Sequence, residues 1–275
     1  MAVIDIDGTL AGKTGDISRE NIEAIKRARD KGYIVTLCTG RNITKTIPVA
    51  KKTDTKVPFA CIDGTLLYNI SDNKITNDLQ ITLEEKNFIL EIAKNEPVMI
   101  EISDGFKYHK YFRNKEYYKY DIFNKHTFTG FIKSYFGGIR YYNNFDKILN
   151  IREPLYQVVL GGEKEVIKNI CEKIQKSNIE DIEIRDNLWD SYAFIHRKGV
   201  RKERGVFELC NYFGISPDEV IAIGDDMNDI DMLKSVGLGV VMENAKEKVK
   251  QYADEIAPSN DKNGVAYILN KYFVW

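Results

Sequence analysis

Short apolar runs alternate with helical patterns at the two ends of the chain but not in its middle, and this alternation limits the fold more than any other feature. Ala2-Val3-Ile4 runs straight into Asp5 and Asp7, as a buried strand would. A helix is expected over 18–31: Ser18 is an N-cap residue, Ile22, Ile25 and Ala28 share one face, and Gly32 stops it. Residues 33–38 read as a second buried strand before Thr39-Gly40-Arg41, and a helix over 44–51 and a strand over 57–62 follow. Strand, helix and strand in this order imply parallel pairing with right-handed crossovers. The pattern returns with a helix over 202–212, an apolar run over 220–223 that enters Gly224-Asp225, a further helix, a strand over 239–242 and a helix over 245–251.

The middle reads differently. A hairpin is expected from 66–68 and 74–76 about a Ser71-Asp72-Asn73 turn. Thr82-Leu83-Glu84-Glu85 is a capping box that opens a helix to about residue 95. Residues 98–103 and 106–112 flank Asp104-Gly105 as a second hairpin. Strands over 156–160, 182–185 and 189–195 and a helix over 163–177 complete an α+β insert. The fold class is therefore α/β: a Rossmann-like, three-layer core with a parallel sheet over 1–78 and 197–275, interrupted by an inserted α+β domain over 79–196.

Composition excludes several classes. A chain of 275 residues can bury one large core or two modest ones. Its net charge of −1 gives no general pull toward nucleic acid or a membrane surface. Cys38, Cys61, Cys171 and Cys210 are widely spaced, which favours reduced thiols in a cytoplasmic protein over a disulfide framework or a zinc site. No apolar run approaches the length of a membrane span. Asp5 and Asp7 stand where a signal peptide would need its apolar stretch, so none is expected.

Asp5 and Asp7 lie two apart at a strand end, where period-two geometry sends both the same way. Open α/β sheets bind their ligands at that edge. Two carboxylates so close repel each other unless one is protonated or a cation lies between them. They are either solvated acids or part of a divalent-cation site. A second acidic cluster, Asp225-Asp226-Met227-Asn228-Asp229, follows another apolar strand. If the two strands are neighbours, Asp225 faces Asp5 and Asp7, a set of oxygens suited to Mg²⁺. Helix capping accounts for some of these acids but not for a second cluster at another strand end. Thr39-Gly40 offers a hydroxyl and backbone N–H groups for phosphate oxygens. Lys202, with Lys198, Arg201 and Arg204 as competitors, could offset the charge of phosphate and carboxylates.

These segments resemble the four motifs of the haloacid dehalogenase superfamily: Asp5-Ile6-Asp7-Gly8-Thr9, Thr39-Gly40-Arg41, Lys202, and Gly224-Asp225-Asp226-Met227-Asn228-Asp229. The third motif departs from its usual Lys-Gly, reading Lys202-Glu203. The insert and the tail from Asn260 to Leu269 look like the Cof-type phosphatases of subclass IIB. The resemblance implies a phosphatase of small phosphorylated metabolites, such as sugar, nucleotide or cofactor phosphates, that works through an aspartyl-phosphate. In that reading Asp5 is the nucleophile and Asp7 the general acid and base. Asp5, the Asp7 main-chain carbonyl and Asp225 hold Mg²⁺. Thr39, Gly40, Lys202 and Asn228 grip the phosphoryl group, and Asp229 orients the site. The insert is a cap that selects the substrate. Arg41 and Asp63 are candidate substrate contacts. A monomer or homodimer is expected.

Two other readings remain open. A sugar phosphomutase would share the motifs, and a hexose phosphate separates the two, giving isomer with a mutase and inorganic phosphate with a phosphatase. A catalytically silent binding protein is the other, on the strength of residues 106–147, which hold nine Lys/Arg against three Asp/Glu among many aromatics. Nucleic acid could stack there, but the aromatics read better as a domain core and the lysines as a solvated face. Gly8 to Thr14 is not a P-loop, since three residues separate its glycines where four are needed. His109, His126 and His196 show no ligand spacing. The pentapeptide of residues 6–10 recurs at 62–66, but Cys61 replaces the partner acid, so the second copy is a turn or a substrate-facing position.

Overall fold

A computed structural model describes residues 1–12, 15–121, 137–152, 154–177, 179–187 and 191–273. The chain divides into two compact units, Met1–Asp78 with Val200–Trp275, and Leu79–Gly199.

In the first unit, β1 (Ala2–Ile4) is followed by α1 (Arg19–Asp30), β2 (Val35–Leu37), α2 (Ile43–Lys52), β3 (Phe59–Cys61), β4 (Leu66–Asn69) and β5 (Lys74–Thr76). Ser18 caps α1 by accepting from the Asn21 N–H, and Gly32, at φ 88°, follows its end. The second unit holds α3 (Leu83–Ala93), β6 (Val98–Ser103), β7 (Tyr108–Phe112), β8 (Ile139–Tyr142), α4 (Phe145–Leu149), β9 (Gln157–Gly162), α5 (Lys164–Gln175), β10 (Ile182–Asn187) and β11 (Tyr192–Arg197). The first unit then resumes with α6 (Lys202–Phe213), β12 (Ile221–Gly224), α7 (Ile230–Lys234), β13 (Leu238–Met242), α8 (Glu247–Lys250), β14 (Glu255–Ala257) and α9 (Gly264–Tyr272).

The main sheet of the first unit is wholly parallel, in the order β14-β13-β12-β1-β2. β1 sits between β2, its neighbour in sequence, and β12, more than two hundred residues away. The chain thus leaves β1 toward one side and returns on the other, which opens a crevice at the carboxyl ends of these strands. All three residues of β1 are buried, as a strand covered on both faces requires. Val3, Ala222 and Val241 from the sheet pack with Val206 and Leu209 of α6 in one apolar cluster. Each of these Val and Leu side chains contributes about 1.5–3 kcal/mol when fully buried.

β3 departs from the expected parallel series. It pairs antiparallel with β4 in a separate three-stranded sheet, β3-β4-β5, and meets the main sheet through a single parallel bridge, Cys38 to Ala60. The cause is local. Ile62, Asp63 and Gly64 have φ of 49°, 52° and 81°, and these left-handed residues reverse the chain straight into β4.

The second unit carries a six-stranded sheet, β10-β11-β9-β6-β7-β8, antiparallel except for β7 with β8. Ile89 and Leu90 of α3 and Ile170 and Ile174 of α5 pack on Ile100, Ile102, Val158, Leu160 and Ile195 of the sheet. Thr82 closes the capping box with Glu85 at the start of α3. The division after β11 falls at 199/200 rather than before 197, because Arg197 still pairs with Ile182. β11 begins at Tyr192, and Trp189 and His126 lie outside the described residues. Phe112, Tyr117, Tyr118, Tyr120 and Tyr141 pack together with Met99 and Tyr192. His109 is buried between Asp104 and Tyr142, at 2.8 Å from each, and His196 lies 2.7 Å from Gln157. All four cysteines are buried free thiols. Among the described residues no helix is long and apolar enough to cross a membrane.

Candidate active site

The site assembles where β1, β2, β3 and β12 end. Asp5 is the first residue beyond β1; its N–H donates to Ile223 O on the neighbouring strand, and its side chain turns inward. Lys202 opens α6 and is itself buried. Its Nζ donates to Asp5 Oδ1 and to Asp229 Oδ1, both at 2.6 Å. Asp229 closes the 3-10 turn Met227–Asp229, and its Oδ2 accepts from the N–H groups of Asp225 and Asp226 at 2.9 and 3.0 Å. Asp225, directly after β12, accepts at Oδ1 from the Thr9 hydroxyl at 2.6 Å. Carboxylate oxygens of Asp5, Asp225 and Asp229 lie within 4.8 Å of one another.

Burial dominates the electrostatics. It pushes the Asp5 carboxyl well above the usual carboxylate range, against the pull of Lys202. It pushes Asp225 up to about 6, with the Thr9 hydrogen bond opposing and Asp229 and Asp226 adding to the rise. Burial alone would also lower the Lys202 ammonium, but Asp229 and Asp5 outweigh it and hold that group well above its ordinary range.

Asp7 does not follow Asp5 inward, as the two-residue spacing predicts. β1 ends at Ile4, and Asp7 lies in the turn beyond it. Its exposed carboxylate is gripped by Arg41, with Nε to Oδ2 at 2.7 Å and a guanidinium nitrogen to Oδ1 at 2.5 Å. The three carboxylates that converge are therefore Asp5, Asp225 and Asp229, rather than Asp5, Asp7 and Asp225.

A third group borders these two. Thr39 is buried; its N–H donates to Ala60 O, and its hydroxyl oxygen accepts from the Arg41 N–H at 3.2 Å. Asp63 Oδ1 accepts from Asn228 Nδ2 at 2.9 Å. Gly40 presses on Asp63 so closely that a Cβ there would stand 3.2 Å from Asp63 Oδ1. The loops are locked together by the N–H groups of Ile62 and Asp63, which donate to Arg41 O and Thr39 O.

Among the basic competitors of Lys202, Arg201 faces Asp231, Arg204 donates to the carbonyls of Gly64, Thr65 and Asn77, and Lys198 belongs to the second unit. Thr9 and Gly8 are site residues that the sequence gives no role. Thr9 fixes Asp225, and Gly8 lies where a Cβ would stand 2.1 Å from Asp225 Oδ2. The signal for both was present in the first copy of the repeated pentapeptide.

A central parallel strand thus delivers a buried carboxylate beside a buried lysine, with further acids just beyond the adjacent strand, at the edge where open α/β proteins bind their ligands. Residues 2–269 match the haloacid dehalogenase-like hydrolase family, and the chain belongs to it. A Bacillus subtilis protein named 5-amino-6-(5-phospho-D-ribitylamino)uracil phosphatase YitU is 25% identical over 284 residues, covering 99% of this chain and 97% of its own. A haloacid dehalogenase-like hydrolase from Bacteroides thetaiotaomicron has the same fold, with a TM-score of 0.82 at 24% identity over 98% of both chains. The subclass IIB sugar phosphatase BT4131 matches with a TM-score of 0.78 at 23% identity, covering 100% of this chain and 99% of its own.

Proposed function

We propose that this protein is a Mg²⁺-dependent phosphatase of small phosphorylated metabolites, acting through an aspartyl-phosphate on Asp5. The observation that carries the reading is the buried Asp5–Lys202–Asp229 group at the end of the central strand. One oxygen of Asp5 rests on Lys202, which leaves the other to attack phosphorus. The ammonium that orients Asp5 also faces the phosphoryl oxygens as they gain charge.

The donor set fits a hard divalent cation. It consists of oxygens only, two of them on Asp5 and Asp225, acids that burial alone would tend to protonate. Asp5, Asp225 and the main-chain carbonyl of Asp7 would hold Mg²⁺, which when bound neutralises charge on the transferring group. Asp229 is committed to Lys202 and two N–H groups, so it orients these residues. Thr39, Gly40 and Asn228 supply donors for the phosphoryl oxygens.

Asp7 would give its proton to the leaving oxygen and then take one from the water that attacks the aspartyl-phosphate. Both oxygens of Asp7 are engaged by Arg41, so that pair must part before Asp7 reaches a leaving group. An incoming phosphate is the natural second partner for the guanidinium. The inserted unit would supply the substrate's selectivity.

The test is Asp5→Asn, assayed for phosphate released from p-nitrophenyl phosphate and from a panel of phosphorylated metabolites. The expected loss is on the order of 10³-fold or more, with an unchanged circular dichroism spectrum. Near-normal turnover by that variant would overturn the mechanism.

A further inference from the structure

We propose that Asp63 filters the charge of the leaving group, admitting phosphate esters whose remainder brings hydroxyl or amino donors and turning away those that bring a second anion. This rests on the phosphatase reading above and adds the substrate class to it.

Burial separates the site into an inner wall and a rim. Asp5, Lys202 and Asp229 are 4%, 2% and 0% exposed and form the wall. Asp7 and Asn228 are exposed, and Arg41 and Asp63 half-buried, at the rim. A phosphoryl group seated against Asp5 and Lys202 leaves the rest of its molecule to pass that rim.

The charges of the rim are unevenly matched. Arg41 is held by Asp7 and, once that pair parts, by the incoming phosphoryl group, Arg204 is spent on three carbonyls, and Lys202, although it feels the charge of Asp63, donates to Asp5 and Asp229. Asp63 has no ion-pair partner among the described residues, and only its Oδ1 carries a hydrogen bond, from Asn228. Its Oδ2 is an acceptor that offers nothing to another anion. A hydroxyl or ammonium satisfies it, whereas a carboxylate or second phosphate meets like charge in a half-desolvated setting.

The backbone that presents Asp63 is held under strain. Ile62 is β-branched and fully buried yet has φ 49°, and Asp63 follows at 52°. A β-branched residue there is an outlier, and such strain persists only where surrounding structure over-determines it. The surroundings do so here: Thr65 donates to Ile62 O through both its N–H and its hydroxyl, and the N–H groups of Ile62, Asp63 and Gly64 all have acceptors. An ordinary Asp-Gly turn before a hairpin needs no such lock. Its effect is to fix a carboxylate beside Asn228 and Gly40.

The experiment measures inhibition of p-nitrophenyl phosphate hydrolysis by two compounds of similar size, glycerol 3-phosphate and 3-phosphoglycerate, which differ in an alcohol or a carboxylate. Wild type is expected to bind the alcohol more tightly. Asp63→Asn keeps an oxygen for Asn228, tolerates the left-handed backbone, and removes the charge. It should narrow the ratio of inhibition constants about tenfold, chiefly by tightening 3-phosphoglycerate. Asp63→Ala should narrow the ratio similarly and weaken both compounds, since Asn228 loses its acceptor. An unchanged ratio in an active Asp63→Asn enzyme overturns the assignment to Asp63 alone. A wild type that releases no phosphate from p-nitrophenyl phosphate overturns the phosphatase reading and this inference with it.

Discussion

Lys202 carries a full charge where burial alone would strip it, because two carboxylates stand 2.6 Å from its ammonium. Removing it would leave Asp5 and Asp229 buried against each other with no counter-charge. Lys202→Ala is therefore expected to destabilise the protein by about 3–5 kcal/mol, the usual cost of breaking one side of a buried ion group. Urea titration of the variant and wild type checks this, and a loss below about 1 kcal/mol would show that the ammonium does not neutralise the pair. At this scale the sequence yields residue types well and directions poorly. Asp5, Asp225 and Lys202 are legible from their places at strand and helix ends. The turn of Asp7 outward to Arg41 is not, since period-two geometry lapses once β1 ends at Ile4. Nor is the identity of the buried lysine settled by a segment that offers Lys198, Arg201, Lys202 and Arg204 within seven residues. Only the start of α6 at Lys202 points that side chain at the carboxylates.

Helix α6 owes its position to two glycines. A Cβ on Gly64 would stand 2.2 Å from Arg201 O, and one on Gly205 would stand 2.8 Å from Ala60 Cβ and 3.0 Å from Gly64 Cα. The first turn of α6 thus lies directly on the loop that joins β3 to β4, and Lys202 with it. Gly64→Ala adds both a clash with backbone and a penalty for φ 81°. A destabilisation of about 2–4 kcal/mol is expected, with a loss of turnover from displaced Lys202. Thermal unfolding and phosphate release check it together, and a variant of normal activity would show that α6 is placed by other contacts. Elements with a local signal were legible: the Thr82 capping box, the Asp104-Gly105 hairpin, and the apolar strands β1 and β12. β3 has the composition of another parallel strand, and its antiparallel partner follows from three consecutive positive φ angles that its residues, apart from Gly64, do not announce.

The chain's two units draw on separate apolar clusters, and only the first contains the acidic site. The discontinuous architecture was legible because alternating strands and helices stop near residue 78 and resume near 200. Two clusters permit two unfolding transitions, and anything that binds the acidic site raises only one of them. Asp225 gives the pH dependence its sign. With a carboxyl pushed up to about 6 from an ordinary 3.8, the folded state holds a proton that the unfolded chain has lost. Its contribution to stability is fully present below about pH 4 and is lost as pH rises through about 6. Under the proposed Mg²⁺ site the cation competes with that proton, so the stabilisation it brings should be small near pH 5 and approach about 2–3 kcal/mol near pH 7.5 at saturating metal. Scanning calorimetry with EDTA or with Mg²⁺ at the two pH values measures this, and Thr82→Ala, which costs about 1 kcal/mol in the capping box of α3, marks the transition of the second unit. The transition that Thr82→Ala leaves in place should be the one Mg²⁺ raises, and Asp225→Asn should abolish the rise. A metal effect equal at both pH values, or equal on both transitions, would place the cation somewhere other than on Asp5 and Asp225.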